Sequence, residues 1–209
     1  GARGQLGNLL WLVNLRLDFL VLDAIAGPAV LGIYAIASKF AELMRLPATA
    51  LNYVLYPRFA RAEPAHASLD LRRLLPRATV LTFAATPVLA VAAVIALPII
   101  YGDAFRPAVL PACLLLVGLT VEGAAAVSSA FLCGIGRPGA NSWGMGIGVA
   151  VTVTLDLLLI PSYGVIGAAI ASSIAYIVTT GLLATVSYRL ARPARLSDAA
   201  SMFKKEARV

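Results

Sequence analysis

Residues 78–100, ATVLTFAATPVLAVAAVIALPII, run for 23 positions without one charged side chain. A helix of roughly 20 such residues crosses the hydrocarbon core of a bilayer. Lipid-exposed backbone must satisfy its own hydrogen bonds, which favours helix over open strand. The rest of the chain repeats this pattern, with apolar runs at 6–26, 31–55, 109–132, 142–160 and 165–188. Between them stand Gly27-Pro28, Pro57, Pro98 with Gly102, Gly134 through Pro138, and Pro161 through Gly164, all residue types that interrupt helices. The alternating segments of about ten residues that build a membrane barrel do not occur. The expectation is an all-α polytopic membrane protein: a six-helix transmembrane unit over 1–190, then a basic tail over 191–209.

Composition points the same way. Hydrophobic residues make up 60% of the 209 and charged residues 13%, against roughly 45–50% and about 25% in soluble domains. Mean hydropathy is +0.88. Six helices of roughly 20 residues leave only short loops, so no separate soluble catalytic domain fits. The net charge of +7 does not point to nucleic acid, because the basic residues fall in the loops between apolar runs. Arg3, Arg58, Arg61, Arg72, Arg73, Arg77, Arg137, Arg189, Arg192, Arg195, Lys204, Lys205 and Arg208 all lie on one side of a six-span arrangement. They are 13 of the 17 Lys and Arg residues, and the opposite loops hold only Arg106. Cytoplasmic loops carry this excess, so both termini of the chain are expected in the cytoplasm.

The remaining cations lie inside spans. The first span holds Arg16 and Asp18, with Asp23 near its outer end; the second holds Lys39, Glu42 and Arg45; the fourth holds Glu122 near its centre. A charge at a helix centre costs about 2.5–3.5 kcal/mol on insertion scales, while the 11 Leu, Ile, Phe and Val residues between Leu9 and Ala26 return only about 5 kcal/mol. The first span is therefore expected to face protein or water. Spacing of three puts Lys39, Glu42 and Arg45 on successive turns, so Glu42 can reach either cation. Counting depth from the span centres places Arg16, Asp18, Lys39, Glu42, Arg45 and Glu122 at one level, around a polar cavity of the kind in which transporters bind substrates. Arg16 and Arg45 suit substrate oxyanions, because a guanidinium grips phosphate in a bidentate fork. Asp18, Glu42 and Glu122 suit charge partners or ion-coupling groups. The competing reading is a structural ion-pair network that ties the spans together.

Other features are more ordinary. Pro47 and Pro87 remove backbone donors within spans and are candidate hinges. Gly144, Gly146, Gly148 and Ala150 form a small-residue face for close packing, and Trp11, Trp143, Tyr101, Tyr163 and Tyr188 near span ends read as interfacial anchors. Cys113 and Cys133 sit at opposite ends of one expected helix, about 30 Å apart, too far to pair. His66 falls in a polar loop. There is no P-loop and no Cys or His cluster, so neither a cofactor nor a metal is expected and an enzyme is unsupported. The opening Gly1-Ala2-Arg3-Gly4, with neither Met nor a signal-peptide pattern, reads as the interior of a longer protein.

Several fragments carry a family likeness. Arg16-Leu-Asp18-Phe, Leu31-Gly-Ile-Tyr34, Leu46-Pro-Ala48, Tyr56-Pro-Arg-Phe59, Tyr101-Gly-Asp-Ala-Phe105, Gly136-Arg-Pro138 and Leu159 through Ala169, in this order, resemble the polysaccharide flippases of the multidrug/oligosaccharidyl-lipid/polysaccharide exporter superfamily. The resemblance implies the C-terminal lobe of a MATE-like two-lobe transporter, with a central cavity lined by the first two helices of each lobe. It implies alternating access, in which the head of an undecaprenyl-pyrophosphate-linked oligosaccharide crosses the bacterial inner membrane while its tail stays in lipid. Arg16, Lys39 and Arg45 would then attract the pyrophosphate or acidic sugars, and a proton or sodium ion would couple through Asp18, Glu42 or Glu122. One lobe alone should not transport, so the expected partners are an N-terminal lobe or a second copy, membrane lipids and the lipid-linked glycan. A cation-coupled multidrug exporter and a non-transporting scaffold for glycan synthesis are the alternatives.

Overall fold

The computed structural model describes Leu9 and residues 17–191. Arg3, Arg16, Trp11 and the tail beyond Ala191 lie outside the described residues. The described chain is helical, without a strand. It forms α1 (Leu17–Ala26), α2 (Pro28–Ala41), α3 (Arg45–Arg61), α4 (Pro64–Tyr101), α5 (Val109–Leu119), α6 (Glu122–Gly134) and α7 (Pro138–Leu190), with 3-10 turns at Glu42–Met44 and Asp103–Ala108.

Proline at the first position opens α2, α4 and α7, where its fixed φ suits the helix and its missing N–H has no helical acceptor to lose. Pro47, the third residue of α3, has no N–H for the Leu43 carbonyl four residues before it, and there the helix gives way to the 3-10 turn Glu42–Met44. No helix ends at Pro87, since α4 runs on through Pro76, Pro87 and Pro98. The division inside α7 comes instead from Gly164, whose φ of 53° and ψ of −127° lie outside helical space and carry no steric penalty only because the residue lacks a Cβ. Two helical arms, 138–163 and 165–190, result.

Two helices, α4 and α7, are long and apolar enough to cross a membrane. A third joins them if the segment Asp103–Leu119 and α6, which meet at a 43° bend, count as one. The 38 residues of α4 span about 57 Å, well beyond the roughly 30 Å hydrocarbon core. Its charge-free part is 78–100, so residues 64–77, with Arg72, Arg73 and Arg77, project past the apolar belt. Along that belt α4 exposes Phe83, Val88, Val91, Ile95 and Ile99. A contiguous apolar exterior of this extent suits lipid rather than water.

Inside, the packing falls into three groups. At the arginine-rich end Phe59 meets Phe131 edge to face, ring centroids 5.4 Å apart, among Leu71, Leu75, Val127 and Leu183. At the other end Ala37, Ala93, Leu97, Ala108 and Ala112 pack together. Between them lie Leu22, Tyr34, Met44, Leu116, Leu119 and Ile160. Small residues bring backbones close. A Cβ at Gly123 of α6 would fall on the Ala78 carbonyl of α4, and Gly144 and Gly148 of α7 accept the Leu183 and Thr179 side chains of its second arm. Ala150 points outward instead. Trp143, Tyr163, Tyr101 and Tyr188 are exposed, as interfacial anchors should be.

Candidate functional site

The central packing group encloses a polar seam. Asp18, in the first turn of α1, is 2% exposed. Its carboxylate accepts the Phe19 amide at 2.9 Å, the Ser172 hydroxyl at 3.2 Å and the Tyr34 hydroxyl. Tyr34 belongs to α2 and Ser172 to the second arm of α7, so one carboxylate joins three segments that are distant in sequence. Phe19 packs edge to face on the Tyr34 ring at 5.4 Å, which fixes the phenol's direction.

Asp156 comes from the first arm of α7. It is fully buried, and neither carboxylate oxygen has a hydrogen-bond partner among the described residues. It lies close enough to Asp18 for the two carboxylates to interact electrostatically. A buried, unpaired carboxylate carries a large desolvation penalty, and a second one beside it adds repulsion. One positive charge, a proton or an alkali cation, relieves both effects. Carboxylate and hydroxyl oxygens are the ligand type that hard cations take, and Asp18, Asp156, Ser172 and Tyr34 supply both kinds.

One helical turn beyond Ser172, Tyr176 presents its ring to Arg45, whose guanidinium carbon lies 4.7 Å from the centroid. Arg45, at the start of α3, is 9% exposed, and its Nε has no hydrogen-bond partner among the described residues. The field around it is negative, from Glu122 foremost and then from Glu42 and Asp18. Glu122 occupies the first turn of α6, just past the bend after α5. Glu42 accepts Lys39 Nζ on one oxygen at 2.5 Å, while its other oxygen is buried without a partner among the described residues. A guanidinium held over an aromatic face keeps its charge and leaves donor edges available.

The sequence-derived residues thus have different fates. Asp18, Arg45 and Glu122 share the seam, and Glu42 borders it. Lys39 stands at the rim, its side chain half exposed; of the two cations that Glu42 could reach, the ion pair forms with Lys39. Arg16 lies outside the described residues. Sequence reasoning passed over Asp156, Tyr34, Ser172 and Tyr176. The Ser172–Tyr176 spacing of four on a small-residue helix was a usable signal, as was an aspartate within the apolar LDLLLI stretch. Both residues of the fourth apolar run's bend, Thr120 and Val121, also went unmarked; there the Thr82 hydroxyl of α4 takes up the Thr120 carbonyl at 2.6 Å.

Comparison with protein-family models, with curated proteins and with solved structures finds no match to this chain.

Proposed function

We propose that this chain is one lobe of a cation-coupled flippase that moves an undecaprenyl-pyrophosphate-linked oligosaccharide across the bacterial inner membrane for surface polysaccharide assembly. In this reading α1, α2 with α3, α4, α5 with α6, and the two arms of α7 belong to six crossings. The other lobe is a preceding segment of the same polypeptide or a second copy. Both ends of the chain face the cytoplasm, where its arginine-rich loops meet the headgroups.

The observation that carries the proposal is the enclosed Asp156 carboxylate, without a hydrogen-bond partner among the described residues and within the electrostatic reach of Asp18. Intramembrane acids of this kind mark ion pathways, and this pair touches four separate helical segments. An ion entering between the aspartates draws α1, α2 and both arms of α7 together, and its departure lets them separate. Differential contact of this kind lets ion binding bias one conformation over another. Arg45 lies next in the seam, linked through Ser172 and Tyr176, and its free Nε suits a phosphate oxygen. Lys39, at the rim, extends the cationic lining toward the glycan.

The test uses the complete parent protein in a strain lacking its surface-polysaccharide flippase, with wild type compared against Arg45→Gln at equal membrane abundance. Restored surface glycan that is lost in the variant is the expected result. Equal rescue by both would contradict a substrate-binding Arg45. Drug resistance conferred without glycan rescue would favour a multidrug exporter. Rescue unaffected by neutralising both aspartates would favour a scaffold.

A further inference from the structure

A second feature lies on the outside of the molecule. Between α3 and α4 runs a groove of about 300 Å³, lined by Pro47, Ala50 and Val54 from one helix, Leu81 and Thr82 from the other, and floored by Gly123. It is large enough for a small ligand or one lipid chain. The Thr82 hydroxyl is already committed to the Thr120 carbonyl, so what the groove offers an occupant is apolar. Val54 and Leu81 on its walls are 67% and 63% exposed, so it opens toward the lipid-facing side rather than into the seam.

Cations stand at its arginine-rich end. Arg58 follows Val54 by four residues and Arg61 follows it by seven, so both lie above the groove on the same face of α3. Arg77 precedes Leu81 by four and edges the groove on α4. Arg58 bridges to Asp70 of α4 at 2.8 Å, which ties the two helices together over the groove's end. Arg61 and Arg77 are exposed and form no ion pair with a described residue. Three arginines against Asp70 leave two positive charges at the mouth of an apolar groove.

We infer that this groove is a binding site for an anionic glycerophospholipid of the cytoplasmic leaflet. One acyl chain lies between α3 and α4, and the phosphate and acidic headgroup lie beside Arg61 and Arg77. The charge at the mouth selects a lipid with net negative charge over a zwitterionic one, since a neutral headgroup gains little from two unpaired guanidiniums. The site requires that the chain reside in a bilayer with its arginine-rich end toward the cytoplasm, as proposed above, and does not depend on a transport role. It also braces the α3–α4 hairpin, whose Ala78 carbonyl is packed against Gly123 of α6.

The experiment is native mass spectrometry of the full-length chain in detergent, titrated with palmitoyl-oleoyl phosphatidylglycerol or the matching phosphatidylcholine. Wild type is expected to retain phosphatidylglycerol preferentially. Arg61→Gln and Arg77→Gln should each lower that preference by about fivefold. Ala50→Phe, which fills the groove from an exposed position, should reduce retention of both lipids. Equal retention of the two lipids by wild type would overturn the inference, as would a preference that survives loss of both arginines. Unchanged retention by Ala50→Phe would overturn the groove's part in it. Undecaprenyl phosphate displacing phosphatidylglycerol at lower concentration would reassign the site to the transported lipid.

Discussion

The seam around Asp18 and the outer face of α4 lie in one molecule and follow opposite rules. Along α4, from Val80 to Ile100, exposed side chains are apolar and carry no hydrogen-bonding obligations. In the seam, two aspartates, an arginine and Tyr34 are buried beside the partly buried Tyr176, and three of the carboxylate and guanidinium atoms have no partner among the described residues. A soluble protein distributes these classes the other way round. Apolar surface outside is free of cost only in lipid, whereas charge inside is costly in any solvent. The outer face therefore reports the environment of the chain, and the seam reports its work.

The largest expected effect comes from moving the seam's chemistry to the outer face. Val91→Arg places a cation on the exposed belt and should cost about 2.5–3.5 kcal/mol of insertion free energy near the bilayer centre, read as a fall in the inserted fraction in a translocon assay. Insertion as efficient as wild type would mean that this face does not meet lipid.

Within the seam, Tyr34→Phe removes the hydroxyl that donates to Asp18. Because its acceptor is charged, the change should destabilise the chain by about 1.5–3 kcal/mol, measured by thermal unfolding in detergent. The equivalent exposed change, Tyr53→Phe on α3, should leave stability as it is. Equal effects at the two sites would deny the seam its special status.

Packing gives a third contrast. Gly123→Ala drives a Cβ into the Ala78 carbonyl and should cost about 1–3 kcal/mol. At Gly32, where a Cβ meets nothing within 4 Å, alanine should be neutral or stabilising by about 0.5–1 kcal/mol. Reversal of that order in unfolding midpoints would contradict the α4–α6 approach. The smallest effect belongs to the rim. Lys39 is half exposed, so Lys39→Gln should change stability by no more than about 1 kcal/mol, and high salt should shrink the difference further.

Much of the fold could be read from local chemistry. The apolar helix over 78–100 and the interruptions at Gly27-Pro28 and Gly164 are each decided by a few adjacent residues, whereas Pro57 and Pro98, also read as interruptions, lie inside α3 and α4. The bend between Leu119 and Glu122 could not be read this way. LVGLTVEG contains no proline, and the bend involves Thr82, about forty residues earlier in the chain, taking the Thr120 carbonyl. Pro47 could be read locally, since its missing N–H falls where the helix loosens into the 3-10 turn at Glu42–Met44. Spacing left Glu42 two possible cations, Lys39 and Arg45, and only the fold shows the pair with Lys39. Asp156 within its apolar stretch and the Ser172–Tyr176 spacing could be marked from the sequence, but not the field of Asp18 that reaches Asp156 or the Tyr34 hydroxyl that joins Asp18 and Ser172 once three segments are folded together.

The central claim is that Asp18 and Asp156 form a pair completed by one positive charge. It is tested most directly by thermal unfolding of the full chain across a sodium titration and a pH series, with wild type beside Asp156→Asn. A cation that binds only the folded state stabilises it as RT ln(1 + [L]/Kd), about 2.7 kcal/mol at one hundred times Kd. The account predicts that wild type is stabilised by rising sodium or by falling pH, while Asp156→Asn starts at least as stable and loses that response. Identical responses in the two proteins, or no response in either, would contradict it.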